Sequence, residues 1–217
     1  MRRLLPLLLL AAGCSLPSSV ALPPAPAAPH GSAADALRSL PVGGRGSKVD
    51  YDRAAFGQAW ADVDRNGCDT RNDVLARDLV RVTFKPRTHD CAVLTGHLRD
   101  PYTGTEIDFV RGGRSVIEID HVVALSNAWQ AGASTWTDGK RLAFANDPAE
   151  LLAVSRKANR AKSDSDAASW LPPIKGFRCA YVARQIEVKQ RYGLRVTRAE
   201  GQQMVRVLTG CPGQPLP

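Results

Sequence analysis

The sequence is short of the features that would place it in several common classes. No two cysteines are spaced C-x-x-C, which argues against a structural zinc site. No internal repeat is visible, which argues against a solenoid or propeller. The apolar run Leu4 to Ala12 is broken by Pro6 and is far too short for a permanent membrane-spanning helix. No DNA-reading module is recognisable. Histidine is scarce, at four residues in 217, so one placed in a polar motif narrows the search for a titrating base. Acidic side chains number 21 against 29 lysines and arginines, a formal net charge of +8. That surplus favours a polyanionic partner such as nucleic acid, anionic lipid or an acidic wall polymer, although many exported proteins are equally basic. The length allows one domain with a real core but not comfortably two.

The amino terminus reads as an export signal. Met1-Arg2-Arg3 is a short positive region ahead of the apolar run. Ala11-Ala12-Gly13 before Cys14 resemble a lipobox, in which Cys14 becomes the lipidated first residue of a lipoprotein anchored to the outer face of the membrane. Ala11 stands where that pattern usually has Leu. The alternative is cleavage in the Ala/Pro-rich stretch after Ala21, and either route takes the protein out of the cytoplasm. Cys68, Cys91, Cys179 and Cys211 then remain, an even number suited to an oxidising compartment. Of the three pairings, Cys68–Cys91 with Cys179–Cys211 closes the two shortest loops and is expected. The chain therefore divides into a signal segment over 1–13, a flexible Pro/Ala/Ser/Gly-rich tether over 14–48, and a folded domain over 49–217.

Within the domain the patterning predicts a short helix over 51–61 with Phe56 and Trp60 on one face. A helix capped at Thr70 follows, running to Arg81 and burying Val74, Leu75, Leu79 and Val82. Strands are expected over 92–98 and 105–110, joined by an Asp100-Pro101-Tyr102-Thr103-Gly104 turn, and over 115–119. A long loop with short helical pieces holds Trp129, Trp136 and Phe144; Trp129, Trp136 and Trp170 read as core or loop-anchoring residues rather than base-stacking platforms. Leu151 to Val154 is a further strand, and Ser155 can cap a helix from Arg156 to about Lys162. Two helices close the chain, 179–192 and 198–208, the latter opened by a Thr197/Glu200 capping box.

The polar chemistry gathers in two places. Ile117-Glu118-Ile119-Asp120-His121 is an alternating strand that ends in Asp and His. Asn159-Arg160-Ala161-Lys162-Ser163-Asp164 lies on the helix after the next strand. A strand ending in Asp-His, then loop, strand and a helix bearing Asn-Arg-x-Lys-Ser-Asp, resembles the HNH (ββα-metal, His-Me finger) endonucleases, and more closely their secreted bacterial branch. The likeness runs from about Tyr51 to Cys211 through Asn66-Gly67-Cys68-Asp69-Thr70-Arg71, the Pro-Tyr-Thr-Gly turn and Phe144-Ala145-Asn146-Asp147. It implies an α+β fold with a ββα-metal core and a small antiparallel sheet, flanked by helices.

It also implies roles: His121 as general base, with Asp120 and Asn159 holding the metal. Each role has a chemical reason. Phosphodiester hydrolysis needs a base for water and positive charge at the phosphorane and the leaving oxygen. Histidine, with an ordinary pKa of about 6.5, suits the first need. One carboxylate and one amide oxygen, completed by water and phosphate oxygens, suit Mg²⁺ or Mn²⁺. Lys162, one turn beyond Asn159, is placed to meet a phosphate. Arg156, Lys157 and Arg160 add a basic surface, and Arg71 is expected to approach the site. Taken singly, such a helix face is usually solvated and an Asp-His pair usually structural; their order along the chain gives them weight.

Where many HNH proteins carry Asn before the second strand, Glu150 stands, so loop bracing falls into doubt or passes to Asn146 or Asn127. The Asp62-x-Asp64-x-Asn66-Gly67 pattern with Asp73 resembles an EF-hand loop, read as a polar turn first and a structural Ca²⁺ site second. The expected activity is largely non-specific cleavage of DNA, or of RNA as well. The alternative is a non-catalytic surface lipoprotein that binds an anionic polymer or calcium on the same scaffold.

Overall fold

Three short strands form the first sheet. In a computed structural model, which describes residues 32–114 and 116–217, β1 (Val80–Phe84), β2 (Val93–Arg99) and β3 (Glu106–Val110) lie in the order β1-β2-β3, all antiparallel. The β2–β3 turn is closed by Asp100, whose carboxylate accepts the Tyr102 amide at 3.3 Å, and by Gly104 at φ 75°. The signal segment 1–13, the lipidation expected at Cys14 and the tether before Ser32 lie outside the described residues.

The second sheet pairs β4 (Ile117–His121) with β5 (Leu151–Ser155), Asp120 opposite Leu152. β5 is buried on both faces, which suits its continuous apolar run Leu151–Val154, whereas β4 alternates and turns Glu118 and Asp120 to the other side. Ile117, Ile119, Leu151 and Ala153 pack into one core with Val74, Leu75 and Phe109. Leu152 and Val154 enter a second core with Tyr102, Phe144, Tyr181 and Tyr192. Because successive strand residues face opposite ways, Glu118 and Asp120 share the face away from Ile117 and Ile119.

Ser155 ends β5 and opens α5 (Arg156–Lys162), its hydroxyl accepting the Ala158 amide at 3.4 Å. The long β4–β5 connection carries α3 (Leu125–Ala131) and α4 (Asp138–Ala145). α6 (Arg178–Tyr192) and α7 (Arg198–Thr209) follow, with the Thr197/Glu200 capping box in place. Disulfides join Cys68 to Cys91 and Cys179 to Cys211, as the loop lengths led us to expect. With α1 (Ala33–Ser39) and α2 (Thr70–Asp78), the described residues form an α+β fold of seven α-helices and two small antiparallel sheets.

Three local expectations need correction. The tether does not extend to residue 48. Ala33, Ala36, Leu37 and Leu40 are buried in the second core, where α1 packs on α6 and α7. Main-chain bonds then stitch Gly43 to Val196 and Gly46 to Gln130. The helix expected to reach Arg81 stops at Asp78, and Val80–Phe84 is a strand, because pairing with β2 outweighs a local helical pattern. Its N-cap is Asp69, whose carboxylate accepts the Asn72 amide at 2.8 Å, rather than Thr70. The helix expected over 51–61 is a single 3-10 turn, Arg53–Phe56, ended where Gly57 and Trp60 take φ values of 77° and 60°.

A chain cut to begin at Lys48 should therefore unfold at lower denaturant than one beginning at Ser32. Burial of Leu37 and Leu40 sets the expected loss at about 3 kcal/mol; identical midpoints in urea would show that α1 contributes nothing.

Candidate active site

β4 delivers Asp120 and His121 to the floor of a cleft of about 670 Å³, whose walls include Arg53, Trp60, Arg71, Arg156 and Asn159. His121 is 7% exposed, and its Nε2 lies 2.9 Å from the carbonyl oxygen of Ala145, at the end of α4. A carbonyl can only accept, so the ring proton sits on Nε2 and Nδ1 is left as an acceptor. Burial, with smaller help from Arg53 and Lys162 and against the Ala145 hydrogen bond, pushes the imidazole down to about 3. The ring is thus neutral at physiological pH, as a proton acceptor must be. Trp60 lies nearly parallel to it, with ring centroids 6.3 Å apart and 21° between planes.

Asp120 turns toward α5 and the second core. Its Oδ1 accepts from Lys162 Nζ at 2.8 Å and its Oδ2 from the Tyr102 hydroxyl at 2.5 Å. Burial raises its pKa, opposed by Lys162 and by both hydrogen bonds. Lys162 is fully buried, and its ammonium also donates to the His121 carbonyl at 2.7 Å. The phosphate contact expected of Lys162 is therefore corrected: it neutralises Asp120 from beneath and does not reach the cleft. Its sequence neighbourhood could not show this, because the partner lies 42 residues away.

Asn159, one turn earlier on α5, donates from Nδ2 to Glu118 Oε2 at 3.0 Å. Glu118, which sequence reasoning passed over, is a second carboxylate on the Asp120 face of β4. Its place two residues earlier on an alternating strand was the available signal. Arg156 Nε lies 3.2 Å from Glu118 Oε1, near enough for ion pairing but not aligned as a hydrogen bond. Arg160 lies 3.5 Å from the same oxygen, and both arginine side chains are exposed, at 41% and 70%. Lys157 is exposed and does not line the cleft. Arg71 does line it and forms no ion pair or hydrogen bond among the described residues; burial and Arg111 lower its pKa. Arg53 joins it on the wall, unforeseen.

Among the oxygen donors lining the cleft are Glu118, Asp120 and Asn159; Asp164 lines it too, but is paired with Lys48 at 2.6 Å and accepts from Ser126. No group of three or more His, Cys, Asp or Glu side chains among the described residues is arranged to hold an ion. Two or three oxygen ligands completed by water and phosphate nevertheless fit a hard ion such as Mg²⁺, which keeps several waters. The bracing question also resolves. Glu150 is buried and its carboxylate accepts the Val123 amide at 3.0 Å, just past the strand end. Asn146 is buried too, and it clamps the Gln58–Ala61 turn instead. In the EF-hand-like loop, Asn66 donates to Asp62, Asp64 and Asp73, and Gly67 to Asp62, at 3.0–3.2 Å.

The strand-strand-helix unit thus gathers a histidine, an adjacent carboxylate and several arginines around one cleft. The chain belongs to a nuclease family: residues 69–207 match the model of the GmrSD restriction endonucleases, C-terminal domain. A relative described as an uncharacterized secreted protein of the fungus Arthroderma benhamiae is 36% identical over 208 residues, covering 94% of this chain and 98% of that protein. The sequence likeness had pointed to a bacterial branch; this relative is fungal. No solved structure matches the chain significantly.

Two outcomes follow. The folded imidazole titrates near 3 and the unfolded one near 6.5, so acid protonates only the unfolded state and stability falls as pH drops below 6.5. Between pH 7 and 5 the wild type should lose about 2 kcal/mol more than His121→Asn in paired urea titrations with EDTA; parallel losses would place the ring in water. Lys162→Met should cost about 3–5 kcal/mol, because it leaves Asp120 buried without its cation; a loss below about 1 kcal/mol would mean that the pair is solvated.

Proposed function

We propose that the protein is an exported, metal-dependent endonuclease of the HNH type that hydrolyses DNA, or RNA as well, without marked sequence specificity. The observation that carries this reading is the placement of His121: a buried ring whose Nε2 donates to the Ala145 carbonyl, at a strand end beside Asp120 in an arginine-walled cleft. Nδ1 then takes the proton from the attacking water. Arg71, half-buried and unpaired in the wall, is the first receptor for the substrate phosphate, with Arg53 beside it. Arg156 and Arg160 can exchange Glu118 for phosphate at small cost, since exposed pairs are worth about 0–1 kcal/mol. Asp120 and Asn159, with Glu118 adjoining, are the residues that would hold Mg²⁺ or Mn²⁺. A divalent ion there would supply positive charge for the phosphate and the departing oxygen.

Export fits the two disulfides and the secreted relative. The absence of a DNA-reading module supports low specificity, because backbone contacts position a substrate without reading its sequence. Structural calcium at Asp62, Asp64, Asn66 and Asp73 is not required by this reading.

The test is incubation of the disulfide-bonded protein with plasmid, linear DNA and RNA in Mg²⁺ or Mn²⁺. Cleavage should stop with EDTA, and His121→Ala should lower the rate by about 10²–10⁴-fold. Asp120→Asn and Asn159→Ala should raise the metal concentration needed for half-maximal rate. A folded protein that binds DNA yet cleaves nothing with any divalent ion would refute the proposal and leave a surface polyanion-binding protein.

A further inference from the structure

A second cavity, of about 250 Å³, abuts the cleft, and it is lined in part by Phe56, Gly57 and Gln58. Arg53, Trp60, His121 and Leu125 line both spaces, so Trp60 and the candidate base stand at the boundary between them. The indole is only half-buried and nearly parallel to the imidazole. Its backbone, at φ 60°, is in the left-handed region, which an aromatic residue adopts only when its surroundings impose it.

Those surroundings are specific. Asn146, fully buried, accepts the Ala61 amide at 3.0 Å and donates to the Gln58 carbonyl at 3.2 Å, gripping the chain on both sides of Trp60. A third bond, to the Leu142 carbonyl at 3.0 Å, ties Asn146 to α4. The Thr70 hydroxyl holds the Ala61 carbonyl from α2. The preceding residue, Ala145, is the one that orients His121. One corner of the chain thus positions the histidine through its carbonyl and the tryptophan through its side chain.

We propose that the small cavity is a nucleobase subsite, in which the base next to the scissile phosphate stacks on Trp60 with Arg53 at the rim. This rests on the nuclease reading and adds a substrate form to it. Phosphate in the arginine-walled cleft and base in the adjoining cavity are what one nucleotide presents. Stacking on an aromatic face tolerates any base, in keeping with low specificity. A base inside a duplex is already stacked and paired and would have to be extruded first. The preferred substrate is accordingly single-stranded or frayed nucleic acid.

Three substrates separate the possibilities: a single-stranded oligonucleotide, the duplex of the same sequence, and the base-free diester bis(p-nitrophenyl) phosphate. Wild type should cleave the single strand faster than the duplex. Trp60→Ala should lose about tenfold more kcat/KM on the single strand than on the base-free diester, and Trp60→Phe should restore most of the difference. A second readout needs no turnover. Thymidylyl-thymidine should quench the tryptophan emission of wild type but not of Trp60→Phe, which keeps the other three of the four tryptophans. Equal losses on both substrates, or quenching that persists without Trp60, would overturn the subsite and leave Trp60 as a support for His121. If wild type cleaves nothing, the hydrolase reading fails, and Trp60-dependent quenching still decides whether a base is bound.

Discussion

The buried ammonium of Lys162 is the contact on which the site's arrangement depends. Asp120 lies at the end of a strand, out of water, where an unpaired carboxylate would be strongly disfavoured. Lys162 supplies the opposite charge at 2.8 Å, and Tyr102 a hydrogen bond to the other oxygen. The match is one of spacing as well as charge. Glu118 and Asp120 are two residues apart on one strand face, a rise of about 6.6–6.8 Å. Asn159 and Lys162 are three apart on one helix face and therefore neighbours. Laid across β4, α5 meets both carboxylates at once, Asn159 on Glu118 and Lys162 on Asp120. A second bond from Lys162 to the His121 carbonyl carries the same link to the candidate base. Replacing this pair by apolar residues need not weaken the fold; it would, however, remove the groups that hold the strand end in place.

The other fixed point is the Ala145–Asn146 corner, which acts from the opposite side. Burial alone would make His121 neutral but would leave both tautomers available. The Ala145 carbonyl selects one. Glu150, accepting the Val123 amide, holds the chain just beyond His121, so the residue is restrained through its side chain, its own carbonyl and the backbone that follows. A side-chain carboxyl suffices here because the partner is a backbone N–H and only an acceptor is needed.

What was legible in the sequence was local. The β2–β3 turn, the Ser155 cap, the capping box on α7 and the disulfide pairing all depend on residues close in the chain or on loop lengths. What was not legible depended on distant partners. α1 has the composition of a tether, and only its contact with α6 and α7 gives Leu37 and Leu40 something to bury against. Val80 and Arg81 continue a helical pattern until β2 is present to pair with the segment. In the site, Asp120, His121 and Asn159 announced themselves by residue type and order. Trp60 and Arg53 did not, since more than 60 residues separate them from His121. Lys162 was visible as a cation, but its burial was not.

The arrangement of charge also revises which side of the cleft meets the phosphate first. By sequence alone, α5 looked like the basic surface, with four cations in seven residues. In the fold, one is buried against Asp120, two face Glu118, and Lys157 stands outside the cleft. The unpaired guanidinium groups belong to Arg53 and Arg71, from segments that precede both sheets. An incoming phosphate has no pair to break there, whereas on α5 it must displace Glu118. That displacement is affordable for exposed arginines and would not be for a buried one. Glu118 would keep its hydrogen bond from Asn159 Nδ2, at 3.0 Å, through such an exchange, because that bond uses its other oxygen.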